Sequence, residues 1–208
     1  MLDRHLRPWI DPPLDRAAAW LVRRKVSANA ITALGLLMGV LAGICLALDA
    51  ALPALMLILA SRLADGLDGP VARAHAARSG GTAGDFGGYF DILADFVFYA
   101  AIPLGFVLAD PAANGAAGAF LLAAFYVNAA SFLGYAALAE KHRLRSEANG
   151  RKAFYHATGL LEGSETIAFF VVICLWPQAF APLAWGFGLL CVLTVLLRLI
   201  EARRRFDD

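Results

Sequence analysis

Long uncharged stretches alternate with short charged ones along most of this chain. The first uncharged stretch covers residues 27–48, which is long enough to cross a bilayer as a helix. Later apolar stretches predict five further membrane helices. They cover residues 50–63, 86–108, 111–139, 154–176 and 183–197, and we expect the start of the 111–139 stretch to be loop.

The first 25 residues differ from the rest because they are polar, basic and interrupted by Pro8, Pro12 and Pro13. From Leu14 onward, Leu14, Ala17, Ala18 and Leu21 share one face of a helix. Trp9 and Trp20 suit a membrane–water interface. The pattern predicts an amphipathic helix lying on the membrane surface, with a disordered basic leader as the alternative.

Composition and charge placement agree with a membrane protein. Hydrophobic residues make up 60% of the chain and charged residues 17%, against about 25% charged in soluble domains. All 18 Lys and Arg residues fall on one side of a six-helix topology, and the turns near Asp49, Asp110 and Pro177 carry none. Since cytoplasmic loops are enriched in Lys and Arg, we predict an all-α integral membrane protein with both termini in the cytoplasm. Its parts would be an interfacial segment (1–25), a six-helix membrane domain (26–200) and a cytoplasmic tail (201–208).

Acidic residues interrupt two of the apolar segments in a regular pattern. Asp65, Asp68, Gly69, Ala72 and Arg73 fall on one side of a helix. On the next helix, Gly87, Asp91 and Asp95 are spaced by four and also share a face. Four carboxylates can therefore meet between two helices, in surroundings where ionised groups need cations or a function to hold them. Hard divalent cations take such oxygen ligands.

The pattern D-x-x-D-G-x-x-A-R followed by G-x-x-x-D-x-x-x-D resembles the signature of the CDP-alcohol phosphatidyltransferase family. All eight fixed positions match in order, and the start of the first membrane helix, Ser27-Ala28-Asn29, is also similar to the family's opening. One departure is the thirteen residues between Arg73 and Gly87, where the family commonly has eight. Loops tolerate such extra length.

The resemblance implies a reaction: a CDP-linked lipid, usually CDP-diacylglycerol, and an alcohol give a phosphodiester lipid and CMP. It implies two magnesium or manganese ions held by Asp65, Asp68, Asp91 and Asp95, with Asp95 as general base and Asp91 beside it as catalytic residues. It also implies that Asp65, Gly69, Ala72 and Arg73 contact the CDP part. Two other readings remain open, an ion-coupled membrane carrier and a catalytically silent relative that binds lipid.

The acceptor alcohol is left open by the sequence. Polar residues including Glu162 and Glu165 begin the helix predicted for residues 154–176, and they suit either a polyol or amine pocket or contacts between helices. A phosphorylated acceptor would instead need cations. The candidates are Arg143, Arg145, Arg151, Lys152 and Arg198, for most of which a topological or headgroup role is the alternative.

Further expectations concern location and assembly. The stretch around Glu162 resembles a bacterial subgroup of inner-membrane family members, which predicts a multi-pass inner-membrane protein with its active site facing the cytoplasm. We expect membrane lipids as partners and no nucleic acid. The family resemblance also implies a homodimer, for which Phe96, Phe98, Phe120 and Phe125 are candidate contact residues.

Overall fold

The computed structural model describes residues 3–79, 84–142, 161 and 163–206. Within these ranges the chain forms α-helices and one short 3-10 turn, Pro177–Ala179, and no strand. This confirms the predicted all-α class. The helices are α1 (Asp3–Arg23), α2 (Ala28–Ala47), α3 (Ala51–Ser79), α4 (Asp85–Ala109), α5 (Pro111–Lys141), α6 (Gly163–Leu175) and α7 (Phe180–Phe206).

Four helices in the described ranges are long and apolar enough to cross a membrane: α2, α4, α5, and α7 with the turn before it. The second half of α3 carries the charged motif, and the described part of α6 has 13 residues. The six predicted spans correspond in order to α2–α7, but membrane crossing by α3 and α6 and the orientation of the termini stay predictions.

Helix α2 packs between α3 and α4, and its glycines let the neighbouring backbones come close. A Cβ atom built on Gly35 would lie 3.3 Å from the backbone oxygen of Ser61 in α3. A Cβ on Gly43 would lie 2.7 Å from the backbone oxygen of Ala101 in α4. The Ser61 hydroxyl also donates to the Gly35 carbonyl over 2.8 Å. Together α2, α3 and α4 form the part of the fold that positions the acidic motif.

The other side of the bundle is held by aromatic packing among α4, α5, α6 and α7. Phe98, Phe170 and Phe180 are fully buried, and the Phe106 and Phe180 rings stack with centroids 4.5 Å apart. Phe169 and Phe187 stack at 4.2 Å. Large apolar side chains elsewhere on α2, α3, α4, α5 and α7 are exposed, which suits contact with lipid.

Helix α1 starts earlier than the sequence predicted and packs against the protein. It runs from Asp3 through all three prolines, whereas we expected a helix only from Leu14. Ala18 and Val22 are buried in a small apolar cluster with Ile31, Ala64 and Val71. The apolar face of α1 therefore covers α2 and α3 of its own chain, while Trp20 stays 51% exposed.

Two helix ends also differ from the prediction. Helix α5 begins directly at Pro111, because the Asp110 side chain accepts a hydrogen bond from the Ala113 backbone N–H over 3.0 Å and proline suits the first helical turn. The expected loop at the start of the 111–139 stretch is therefore wrong. Helix α7 continues to Phe206, so most of the predicted tail is helical.

One of the candidate dimer contacts is also wrong. Phe98 is 0% exposed and packs edge-on against Phe170 inside the bundle, so it cannot face a partner. Phe125 packs against the same core, and Phe120 stacks on Trp185 of α7. These rings are used in packing within the chain, where large aromatic side chains stabilise a core through their area and ring contacts.

The close crossing of α2 and α4 gives a stability prediction for Gly105→Ala. A Cβ at Gly105 would collide with the Gly43 backbone oxygen and lie 2.7 Å from the Leu46 Cβ. We expect the free energy of unfolding to fall by about 1–3 kcal/mol, as overpacking does elsewhere. Denaturant titration of the purified protein in detergent would measure it. Gly134→Ala is the matched control, since a Cβ there meets nothing within 4 Å. Equal stability of the two variants would contradict the close crossing.

Candidate active site

The structure brings the four predicted carboxylates together between α3 and α4. Asp65 and Asp68 lie on α3, and Asp91 and Asp95 lie on α4. Asp65 interacts electrostatically with each of the other three. Asp68 interacts with Asp95, and Asp91 with both Asp68 and Asp95. Electrostatic interaction thus connects the four carboxylates across α3 and α4.

Asp68 is the most enclosed of the four carboxylates, with 7% of its surface exposed. Its Oδ2 accepts a hydrogen bond of 2.6 Å from the hydroxyl of Thr32 on α2. The same hydroxyl lies 3.2 Å from the Ala28 carbonyl one turn earlier. Since a buried carboxylate without hydrogen bonds is costly, Thr32 fixes the orientation of Asp68 toward α2.

Arg62, one turn before the motif on α3, is the cation nearest the cluster among the residues with described contacts. Its Nη1 donates to Asp95 Oδ1 over 2.7 Å and lies 3.5 Å from Asp65 Oδ1. Its Nη2 donates to the Ser61 hydroxyl over 3.3 Å. The guanidinium lies 3.8 Å from the centroid of the Phe98 ring, a cation–π contact. Arg62 therefore links the carboxylates of α3 and α4.

The donor set suits a divalent cation by its chemistry. Four carboxylates and a neighbouring hydroxyl supply only oxygen, which magnesium and manganese prefer. In the arrangement described, however, no three His, Cys, Asp or Glu side chains of the described ranges surround one point. Arg62 occupies an oxygen of both Asp95 and Asp65 instead.

The residues expected to contact CDP continue along α3 beyond the carboxylates. Gly69 lies beside Arg73, since a Cβ built on it would be 3.3 Å from the Arg73 Nη1. Ala72 is half-buried and Arg73 is exposed, so the guanidinium is accessible to an anion. Gly87 faces α2, where a Cβ would lie 3.2 Å from the Asn29 Oδ1.

Only part of the predicted acceptor set lies in the described residues. Glu165 is half-buried in the first turn of α6. Arg198 is 4% exposed on α7 and donates to the Asn128 carbonyl, the Asn128 Oδ1 and the Ser131 hydroxyl of α5, over 3.0–3.2 Å. Arg198 thus joins two helices here, and its contact with an acceptor stays a prediction. Outside the described residues lie Arg143, Arg145, Arg151, Lys152 and Glu162.

Sequence reasoning missed Arg62 and Thr32 as parts of the site. A signal for Arg62 exists, because it is the one charge between Ala50 and Ala64 and stands three residues before Asp65. A lone ionisable residue in an apolar helix marks a functional candidate whose partner is worth seeking. Thr32 gives no such signal, since threonine in a membrane helix commonly bonds to its own backbone.

Comparison with known proteins decides the family. The family model for CDP-alcohol phosphatidyltransferase matches residues 25–197. The chain belongs to this family. It is therefore a phosphatidyltransferase by class, a transferase of phospholipid synthesis that uses a CDP-linked substrate.

Two relatives place this phosphatidyltransferase more closely. It is 46% identical over 198 residues to the inner membrane protein YnjF of Escherichia coli, covering 95% of this chain and 93% of that protein. Its fold resembles the crystal structure of the phosphatidylinositol phosphate synthase of Mycobacterium tuberculosis with CDP-DAG bound. The TM-score is 0.67 at 19% identity, with 91% of this chain and 93% of the other covered.

The Thr32–Asp68 hydrogen bond gives a prediction for this phosphatidyltransferase. Thr32→Val removes the donor and leaves a buried carboxylate oxygen unsatisfied, so we expect the free energy of unfolding to fall by about 1–3 kcal/mol without added divalent cations. Thr32→Ser keeps the hydroxyl and is expected to stay near the wild-type value. Denaturant titration in detergent compares them. A Thr32→Val protein as stable as wild type would mean that this bond contributes nothing net.

Proposed function

We propose that this enzyme transfers the phosphatidyl group of CDP-diacylglycerol to an alcohol and releases CMP. The observation that carries the proposal is the meeting of Asp65 and Asp68 on α3 with Asp91 and Asp95 on α4, in the register of the family signature. The CDP-DAG in the structurally similar synthase of Mycobacterium tuberculosis supports the choice of donor.

The four aspartates would hold two divalent cations, magnesium or manganese. Such ions supply charge neutralisation for the pyrophosphate and for the departing CMP. Asp65, Asp68 and Asp91 would be ligands of these ions, together with Asp95. The Thr32 hydroxyl already orients the Asp68 carboxylate through a hydrogen bond of 2.6 Å to its Oδ2.

Asp95 would act as the general base of the transfer, with Asp91 one turn earlier on the same face of α4. It accepts the proton of the acceptor hydroxyl as that oxygen bonds to the lipid-bearing phosphorus. The bond from this phosphorus to the bridging oxygen breaks, and the bridging oxygen leaves with CMP. Arg73, exposed on α3, and Asp65, Gly69 and Ala72 would hold the CDP part in line with the acceptor.

The acceptor is proposed only as an alcohol, with the side chains that would select it. An anionic or phosphorylated alcohol would engage the basic residues, and a polyol or amine would engage the acidic ones. Arg198 would need to give up one of its hydrogen bonds to α5 in order to reach an anion. The basic candidates are Arg143, Arg145, Arg151, Lys152 and Arg198, and the acidic ones Glu162 and Glu165.

The enzyme would lie in a bacterial inner membrane with six spans, both termini and the active site on the cytoplasmic side. Support comes from the Lys and Arg distribution, the four long apolar helices and the inner-membrane relative. We expect alkaline phosphatase fused after Phe206 to be inactive and the same reporter inserted at Asp49 or Asp110 to be active. The reverse pattern would overturn the orientation.

A homodimer would be the working form. Exposed apolar positions on α4 and α5, such as Val97 and Val127, remain available for it, in place of the buried Phe98. Chemical crosslinking in native membranes tests this assembly. Recovery of monomer alone, at several crosslinker lengths, would count against it.

CMP release from CDP-diacylglycerol by the purified protein is the decisive measurement, run with magnesium against a panel of alcohols. The panel includes glycerol phosphate, inositol, inositol phosphate, serine and a second lipid. We expect release to depend on one acceptor class, and to stop in chelator and return with magnesium or manganese.

Two variants complete this experiment. Asp95→Asn removes the base, and we expect a loss of about 10²-fold or more in turnover with the fold intact. Asp85→Asn changes an exposed carboxylate in the first turn of the same helix and should leave turnover unchanged. Normal turnover by folded Asp95→Asn would remove Asp95 from the role of base, and full activity in chelator would remove the metal centre.

A further inference from the structure

Arg62 lies where a charge is costly to bury, in contact with two members of the carboxylate cluster. Its side chain is 10% exposed, and its neighbours along the chain from Ala50 to Ala64 are all uncharged. Burying a guanidinium here requires partners. Asp95 and Asp65 provide them, at 2.7 Å and 3.5 Å from the same Nη1 atom.

Arg62 makes two kinds of contact, one with an aromatic ring and a hydroxyl and the other with two carboxylates. The Phe98 ring and the Ser61 hydroxyl contact the guanidinium, and Ser61 itself donates a hydrogen bond to the Gly35 carbonyl. The carboxylates of Asp95 and Asp65 attract the same guanidinium by charge. Its Nε is buried with no hydrogen-bond partner, so its hydrogen-bonding capacity is not fully used in this position.

We propose that Arg62 is a built-in counter-cation of the carboxylate cluster, which holds Asp95 and Asp65 in the metal-free protein and is displaced from them by divalent cations. The inference rests on the proposed metal centre and adds a residue to it. Arg62 and a metal ion would compete for the same Oδ1 atoms of Asp95 and Asp65. The guanidinium and the metal ion would also repel each other, because both are positively charged.

The balance of charge explains why divalent cations would move Arg62 away from Asp95 and Asp65. Four carboxylates exceed one guanidinium, so in the metal-free protein the field at Arg62 draws it toward Asp95. Two divalent cations would neutralise the four carboxylates and remove that attraction. Arg62 can then withdraw while keeping its contacts with Phe98 and Ser61, because the side chain that joins its guanidinium to α3 is flexible.

Manganese binding tests the competition without use of catalytic activity. Free Mn²⁺ is followed by its paramagnetic resonance signal during titration of the metal-free protein in detergent. We expect Arg62→Met to bind Mn²⁺ about tenfold or more tightly than wild type, equivalent to about 1.4 kcal/mol. Arg78→Met is the matched control, since it removes an exposed arginine from the last turn of the same helix and should leave affinity unchanged.

The direction of the change separates competition from mere structural support. Damage to the site would weaken metal binding, whereas loss of a competitor strengthens it. Unchanged or weaker Mn²⁺ binding by folded Arg62→Met would overturn the inference. In that case, Mn²⁺ binding by the wild-type protein would still support the metal centre itself. If wild type binds no Mn²⁺ above the level of Asp91→Asn, both the metal centre and the inference fail.

A second variant covers the case in which Arg62→Met does not fold without metal. Arg62→Lys keeps one positive charge but loses the planar fork and its delocalised contact with Phe98. We expect its Mn²⁺ affinity to lie between those of wild type and the methionine variant. We also expect added Mn²⁺ to raise its unfolding midpoint more than that of wild type. Affinity at or below the wild-type value would overturn the inference.

Discussion

Negative charge concentrated between apolar helices is the constraint that the packing around the site must satisfy. Four aspartates lie between α3 and α4, and their mutual repulsion would separate the helices unless cations or hydrogen-bond donors opposed it. The Arg62 guanidinium opposes it across the two helices, and the Thr32 hydroxyl does so from α2. A guanidinium and a hydroxyl from the protein itself thus hold the carboxylates in the arrangement described.

Helix α2 makes this arrangement possible although it carries none of the acidic residues. Its glycines let the backbones of α3 and α4 approach closely, so both motif-bearing helices pack against the same helix. Polar side chains near its start, Asn29 and Thr32, then reach the motif directly. Packing of both helices against α2 suits chemistry that needs the carboxylate oxygens placed within tenths of an ångström.

Regular spacing explains which parts of the molecule the sequence could predict. The four carboxylates and their two helices followed from residues three and four apart, because a helix repeats its faces at that interval. Thr32 could not be found this way, since its contact with Asp68 spans 36 positions and depends on how α2 packs. The burial of Phe98 likewise depends on tertiary contacts that no local pattern encodes.

The packing of α1 on α3 bears on how much of the chain is needed to support the site. The match to the family model begins at residue 25, yet Ala18 and Val22 before it pack with Ala64 and Val71 of the motif-bearing helix in one buried cluster. Leu14 approaches Gly66, between two of the aspartates. A chain trimmed to start at residue 25 would lose these contacts and leave Ala64 and Val71 less covered on the helix that carries Asp65 and Asp68.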